Sequence, residues 1–299
     1  LEDARTVMRR KQALGGSIIK SYKQPMRSQR QQLLVAAREA GINVDVEGES
    51  HFYNNLSMVL DGHMAVEHNL PVANYYDDLV QLFAHSEVAH TPTLVIIFGE
   101  LFGENYIYQK FRAWEDPRVS TYIQDVTASY SPLNAPYGAP PHVRAMTSIH
   151  VADEIYDIGF RAVSQSMSKL NDAGVLINAG SHGQVAGLAM HWEMWLLAEG
   201  GMSNIDVLRA ATINGATTLA LDGQIGSLER GKLADLIVLD DNPLTDITNS
   251  TSVRFTMVNG RIYDSLSMDE VGNYDRPRSK FYWELGDNND IDWNEAWTN

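Results

Sequence analysis

Between residues 16 and 178 the chain repeats one rhythm: a short β-favouring run, a polar residue at its end, then a helical stretch. Residues 16–22 form the first such run. Residues 26–40 follow with Leu33, Leu34, Ala37 and Ala40 at helical spacing, and Gly41 supplies the stop. The next runs are 43–47, then an amphipathic stretch through Met58 and Leu60, then 65–68 and a helix over 77–85. Residues 93–98, Thr-Leu-Val-Ile-Ile-Phe, read as a buried strand. A helical region over 147–172, a strand over 175–178, a turn over 180–183 and a helix through Trp192 and Leu197 continue the series. Repeated strand–helix units predict a parallel α/β sheet or a (β/α) barrel.

Two segments depart from the rhythm. Residues 99–146 are rich in Gly, Pro and aromatics, as a lid or substrate loop would be. Residues 253–258, the Asn259-Gly260 turn and 261–263 predict a β-hairpin. The predicted organisation is therefore a barrel portion over 1–222, a small β module over 223–263 and an acidic tail over 264–299 carrying Tyr282, Trp283, Trp293 and Trp297.

Composition narrows the chemistry. With 23 Lys+Arg against 38 Asp+Glu in 299 residues, the net charge of −15 argues against a phosphate-neutralising surface, so no nucleic-acid partner is expected. The longest apolar run, 92–98, is far too short to span a membrane, and no membrane partner is expected. Cysteine is absent, which excludes disulfides, thiolate metal sites and cysteine nucleophiles. Any metal would rest on His, carboxylate or Lys-derived ligands. The sequence has no Gly-x-Ser-x-Gly elbow, Walker loop or dinucleotide fingerprint, and His191 and Glu193, two apart on a helix, form no His-Glu-x-x-His site.

In a (β/α) barrel, functional side chains project from the C-terminal ends of strands. Lys20, Glu47, His68 and His182 stand at such ends. Each has a plain structural reading: Lys20 can snorkel and has Lys23 as a competitor, Glu49 stands near Glu47, and His182 can cap the helix after it. Alternation sends Glu67 and His68 to opposite faces, so only one is expected to point inward. His63, His85 and His142 read as surface or packing residues, with His90 and His150 intermediate.

Residues 205–263 resemble the C-terminal signature of the amidohydrolase superfamily, through Ile205-Asp-Val-Leu-Arg-Ala-Ala-Thr-Ile-Asn-Gly-Ala216, Ile225-Gly-Ser-Leu-Glu-Arg-Gly-Lys-Leu-Ala-Asp-Leu-Ile-Val-Leu-Asp240, Asn242-Pro243 and Val258-Asn-Gly-Arg-Ile-Tyr263. Val66-Glu67-His68 and Thr91-Pro-Thr-Leu94 are similar to strand-six and strand-seven segments of its imidazolonepropionase and prolidase-like branch. Gly180-Ser-His-Gly-Gln184, Met190-His-Trp-Glu-Met-Trp195 and Leu101-Phe-Gly-Glu-Asn-Tyr106 resemble amidohydrolase domains joined to TolB-like β-propellers.

The resemblance implies a TIM-like barrel with part of a small β-sandwich and a divalent metal centre of one or two ions, zinc foremost. It also implies hydrolysis of amide, cyclic amide or peptide bonds by metal-activated water. Lys20 matches the strand-four Lys, which is often carbamylated in the family, and His68 matches the strand-six His. Glu47 stands where a strand-five His is usual and His182 where a strand-eight Asp is usual, so Lys20, Glu47, His68 and His182 are the expected ligands, with His182 also the catalytic group. His90, Tyr106 and Gln184 are expected to contact substrate, a small molecule or peptide. Against the family pattern the chain starts near strand four, without the His-x-His of strand one. Association with an N-terminal portion or a homo-oligomer is therefore expected. The missing strand-eight Asp also admits a non-catalytic binding or structural domain.

Overall fold

The structure is a computed structural model that describes residues 1–22, 24, 26–48, 50–96, 103–111, 157–183 and 185–281. Helix α1 (Glu2–Ala13) precedes β1 (Ile18–Ser21), and the chain then alternates α2 (Arg27–Ala40), β2 (Asn43–Glu47), α3 (Phe52–Asp61), β3 (Ala65–Glu67), α4 (Asp77–Ser86) and β4 (Ala89–Thr91). The four strands pair in chain order and in parallel, with Lys20 opposite Asp45, Glu47 opposite Glu67 and Glu67 opposite Thr91. A parallel bridge from His90 to Ile177 adds the edge of a further strand. Among the described residues these strands form an open sheet rather than a closed barrel, because β1 has a neighbour on one side only.

Alternation along the strands divides their two faces. Val46 and Val66 point toward the helices and pack in one core with Met58, Val59, Leu79, Val80 and Phe83. Ile19 and Val44 belong to a smaller core with Met8, Leu34 and Ala37 on α1 and α2. The opposite face receives Lys20, Asp45, Glu47, Glu67 and Thr91. The helices thus carry the hydrophobic stabilisation, and the other face is left for polar chemistry.

Helix α2 ends as its sequence predicts, at Gly41 with φ 66°. Helix α3 starts where the His51 ring accepts the Asn54 amide at 3.2 Å. The described part of the run expected as a strand, 93–96 of 93–98, is not a strand. The strand lies earlier, at Ala89–Thr91, and past Pro92 the backbone turns, with Thr93 at φ 51° and the Ile96 amide donating to the Thr93 carbonyl at 2.9 Å. Residues 97 and 98 lie outside the described residues.

After α5 (Gly103–Phe111), a π turn at Asp157–Arg161 leads into α6 (Ala162–Asp172), α7 (Leu188–Glu199), α8 (Asn204–Ala210) and α9 (Ile213–Thr218). Apart from α5, the expected lid over 99–146 lies outside the described residues, as do His142 and His150. A second, antiparallel sheet runs β5 (Leu236–Leu239), β6 (Val253–Val258), β7 (Arg261–Asp264) and β8 (Glu270–Val271). Asn259 (φ 48°) and Gly260 (φ 78°) make its tight hairpin turn. Strand β8 extends this sheet past residue 263, into the segment read as tail. The four aromatics of that tail lie outside the described residues.

Candidate active site

The tips of β1, β2 and β3 and the loop after Ile177 meet in a chain of contacts. The Lys20 ammonium pairs with Glu47 Oε2. Glu47 Oε1 lies 2.9 Å from His68 Nε2, and the His68 and His182 rings meet edge to face with centroids 5.1 Å apart. Glu47 and His68 are buried, whereas His182 is exposed and the Lys20 side chain is 51% exposed.

Two glycines permit this approach. At Gly48 the amide donates to the Glu67 carbonyl at 2.8 Å, and a Cβ there would stand 2.3 Å from that oxygen. At Gly180 a Cβ would stand 2.5 Å from Thr91 Cγ2, so only glycine lets the loop bearing His182 pass this close to β4.

The alternation expected at Glu67 and His68 fails for a backbone reason. His68 has φ 69°, and this left-handed residue ends the pleat. Glu67 accepts from the Thr91 hydroxyl at 2.8 Å on the polar face, and His68 swings back to the same side. Thr93 and His182 also have positive φ, 51° and 45°. Three strained non-glycine residues in one cluster is the usual sign of a functional site.

The electrostatics are uneven. Burial pushes Glu47 up, but Lys20 and His68 outweigh it and hold the carboxyl below its ordinary range. Burial holds His68 below its ordinary value against the pull of Glu47. Lys20 is raised, because the carboxylates of Glu47, Asp45 and Glu67 outweigh its burial. Burial and mutual repulsion lift Asp45 to about 6 and Glu67 to about 7.

The donors specify a ring orientation. The Thr93 hydroxyl donates to the Ile96 carbonyl at 3.2 Å, so toward His68 Nδ1, at 2.6 Å, it accepts. On this hydrogen-bond assignment the His68 proton sits on Nδ1, and the Nε2 lone pair faces the Glu47 carboxylate. A proton on Nε2 shared with Glu47, or a cation beside the pair, would hold these two groups this close. The donor types fit a divalent cation held by Glu47 and His68, with His182 adjacent. Among the described residues, however, no three His, Asp or Glu side chains are already gathered around one point.

The remaining expected contacts fall elsewhere. His90 is fully buried between sheet and helices, with Phe83 at 5.3 Å and Tyr75 at 6.4 Å between ring centroids, so it does not line the cluster. It sits within β4 on the helix-facing side, its Nδ1 is 3.0 Å from the Val66 carbonyl, and burial lowers it to about 4. Tyr106 is likewise committed to the helical layer: its hydroxyl donates to Glu199 at 3.0 Å and its ring packs 4.9 Å from Phe160. Gln184 lies outside the described residues.

Two residues that sequence reasoning missed support the cluster. Thr93 lay hidden in an apolar run. Glu193 is completely buried on α7, and its oxygens accept the Leu94 amide at 2.9 Å and the Val95 amide at 3.0 Å. A charged residue in the apolar helix Leu-Ala-Met-His-Trp-Glu-Met-Trp was the available signal.

The sequence pattern of the amidohydrolase family matches residues 30–263, most of the chain. The chain belongs to the amidohydrolase family. Over 67 residues this amidohydrolase chain is 42% identical to an imidazolonepropionase of Picrophilus torridus, covering 21% of the chain and 17% of that protein. Over 83 residues it is 40% identical to a 5-methylthioadenosine/S-adenosylhomocysteine deaminase of Syntrophobacter fumaroxidans, covering 22% and 19%. In fold it is similar to a Xaa-Pro dipeptidase crystallised with methionine in its active site, with a TM-score of 0.59, 19% identity and 88% of this chain covered. The amidohydrolase chain spans 58% of that structure's length and under a fifth of either curated relative.

Proposed function

We propose that this chain carries the catalytic rim of a metal-dependent hydrolase acting on C–N bonds, of the amide, cyclic amide or peptide class. The observation that carries the reading is the unbroken line of contacts Lys20–Glu47–His68–His182 at the strand tips of an amidohydrolase sheet. The names of similar proteins support the bond class: one is a dipeptidase, one an imidazolonepropionase and one a deaminase.

Glu47 and His68 are the inner ligands in this reading, and His182 completes the set from the exposed side. When bound, a divalent cation supplies Lewis acidity toward the scissile carbonyl and acidifies a water. The protein's own groups do the rest. Thr93 accepts a hydrogen bond from the His68 Nδ1 proton, which leaves the Nε2 lone pair on the side of Glu47, where it would ligate the cation. Lys20 balances the Glu47 charge, and as a carbamate it would become an anionic ligand instead. His182, an imidazole facing solvent, is placed to take a proton from an attacking water and to return it to the leaving amine.

The test is metal analysis and hydrolysis by the intact protein. Zinc, manganese or iron should copurify, chelation should abolish cleavage of a dipeptide or lactam panel, and His182→Ala should do the same with the fold intact. Absence of bound metal together with activity that survives chelation would overturn the reading.

A further inference from the structure

We infer that Glu193 is a positioning residue for His68, acting through the turn at Thr93; the inference rests on His68 being a metal ligand. Successive amides of Leu94 and Val95 both point at the Glu193 carboxylate, at 2.9 and 3.0 Å. Two consecutive N–H groups converge on one carboxyl group where the backbone before them turns left-handed, forming a small nest. Thr93 is that residue, at φ 51°. Such a conformation is costly for a β-branched residue and persists only where the surroundings impose it. The buried Glu193 carboxyl group imposes it from the helix side.

The same twist aims the other face of the turn. It presents Thr93 Oγ1 to His68 Nδ1 at 2.6 Å, and the hydroxyl's own proton goes to Ile96 O at 3.2 Å, within the turn that Glu193 holds. The turn also anchors α5, whose first amides, Gly103 and Glu104, donate to the Leu94 and Val95 carbonyls at 3.0 Å each. Glu193 therefore lies two hydrogen bonds from the imidazole and touches neither substrate nor metal. A carboxyl group with no exposure, committed to two backbone amides, is a costly way to satisfy an ordinary turn. The outlay makes sense where the turn must keep one ring in one tautomer.

The experiment uses zinc titration by competition with a chromophoric chelator, and ¹⁵N NMR of the imidazoles, on the intact protein. Glu193→Gln keeps one acceptor and places an NH₂ against the second amide. It should weaken zinc binding by roughly tenfold or more, the usual effect of losing an outer support, and should move the His68 Nδ1 proton signal. Ser164→Ala removes a buried hydroxyl that donates to Leu196 O at 2.6 Å and makes no bond to the Glu193–Leu94–Val95 set, so it should leave zinc affinity unchanged despite its own loss of stability. Thr93→Val breaks the same relay at its other end, so its effect on zinc affinity should not add to that of Glu193→Gln. Should Glu193→Gln fail to fold, Glu193→Asp, which keeps the carboxyl group but shortens its reach, replaces it.

Wild-type zinc affinity in the Glu193 variants, full additivity with Thr93→Val, or an equal loss in Ser164→Ala would each overturn the inference. If the wild-type protein binds no zinc, the proposed function falls, and the NMR arm alone decides whether Glu193 sets the His68 tautomer.

Discussion

Replacing Thr93 by valine removes one hydroxyl and leaves the shape almost unchanged. In the wild type that oxygen accepts from His68 Nδ1 at 2.6 Å and donates to Ile96 O at 3.2 Å, and both Thr93 and His68 are buried. Valine leaves the imidazole N–H without its acceptor in a site that water reaches poorly. An unsatisfied buried donor costs about 1–3 kcal/mol, so a loss of about 2 kcal/mol is expected. Part of it is recovered if the proton moves to Nε2, where Glu47 Oε1 waits at 2.9 Å, and that shift would itself appear in ¹⁵N spectra as the other tautomer. Thr93→Ser keeps the hydroxyl and relieves β-branch crowding at φ 51°, so it should stay within about 0.5 kcal/mol of wild type. Urea unfolding of the three proteins reads the difference. At a slope of roughly 3 kcal/mol/M, the valine variant unfolds about 0.7 M earlier and the serine variant with the wild type. Equal midpoints for all three proteins, or a serine variant as damaged as the valine one, would refute the assignment of the His68 proton to Thr93.

Other outcomes follow from the same geometry. Gly48→Ala sets a Cβ 2.3 Å from the Glu67 carbonyl, so β2 and β3 must part; the variant should lose zinc affinity and unfold earlier in urea. Val66→Ala empties space in the main core, where Val66 has no exposure, and should cost roughly 2–3 kcal/mol by chemical unfolding without altering the pH profile of activity. Glu47→Gln removes the charge that Lys20 and His68 share, and the lysine's pKa, read by NMR, should fall toward its ordinary value. Glu193 gives a pH signature: burial lifts it from the ordinary 4.5 to about 8 against two backbone amides. A carboxyl raised on folding stabilises the native state below its unfolded pKa, and that contribution is lost as pH rises through its folded one. The wild type should therefore lose stability between pH 5 and 8 relative to Glu193→Gln, by at most about 5 kcal/mol; a flat difference in urea midpoints across that range would contradict it.

How far the sequence reveals this arrangement depends on which forces leave a periodic trace. Strands β1 to β3 and the hairpin were legible because alternation and turn residues are local signals, and the polar tips Lys20, Glu47, His68 and His182 stood out against apolar runs. Strand β4 was misplaced because residues 93–96 are as apolar as a buried strand, while the true strand contains His90 and Thr91. What bends that run away from the sheet is Glu193, close in space and about a hundred residues away in sequence. The orientation of His68 was also illegible, since a left-handed φ at a non-glycine residue is imposed by tertiary contacts and has no compositional mark.

The charge on the polar face gives an argument that does not depend on the family. Strands β1 to β3 bring one ammonium, Lys20, against three carboxyl groups, Asp45, Glu47 and Glu67. Lys20 neutralises Glu47, and the other two respond by rising to about 6 and about 7, the behaviour of carboxyls that burial and mutual repulsion keep from ionising together. Hydrophobic packing does not require this face to be acidic, because the core lies on the other side of the same strands. A sheet that concentrates carboxyl groups beside an imidazole offers oxygen and nitrogen donors of the types that a divalent cation takes. This is the physical support, independent of the family, for the proposal that the chemistry lies at Glu47 and His68.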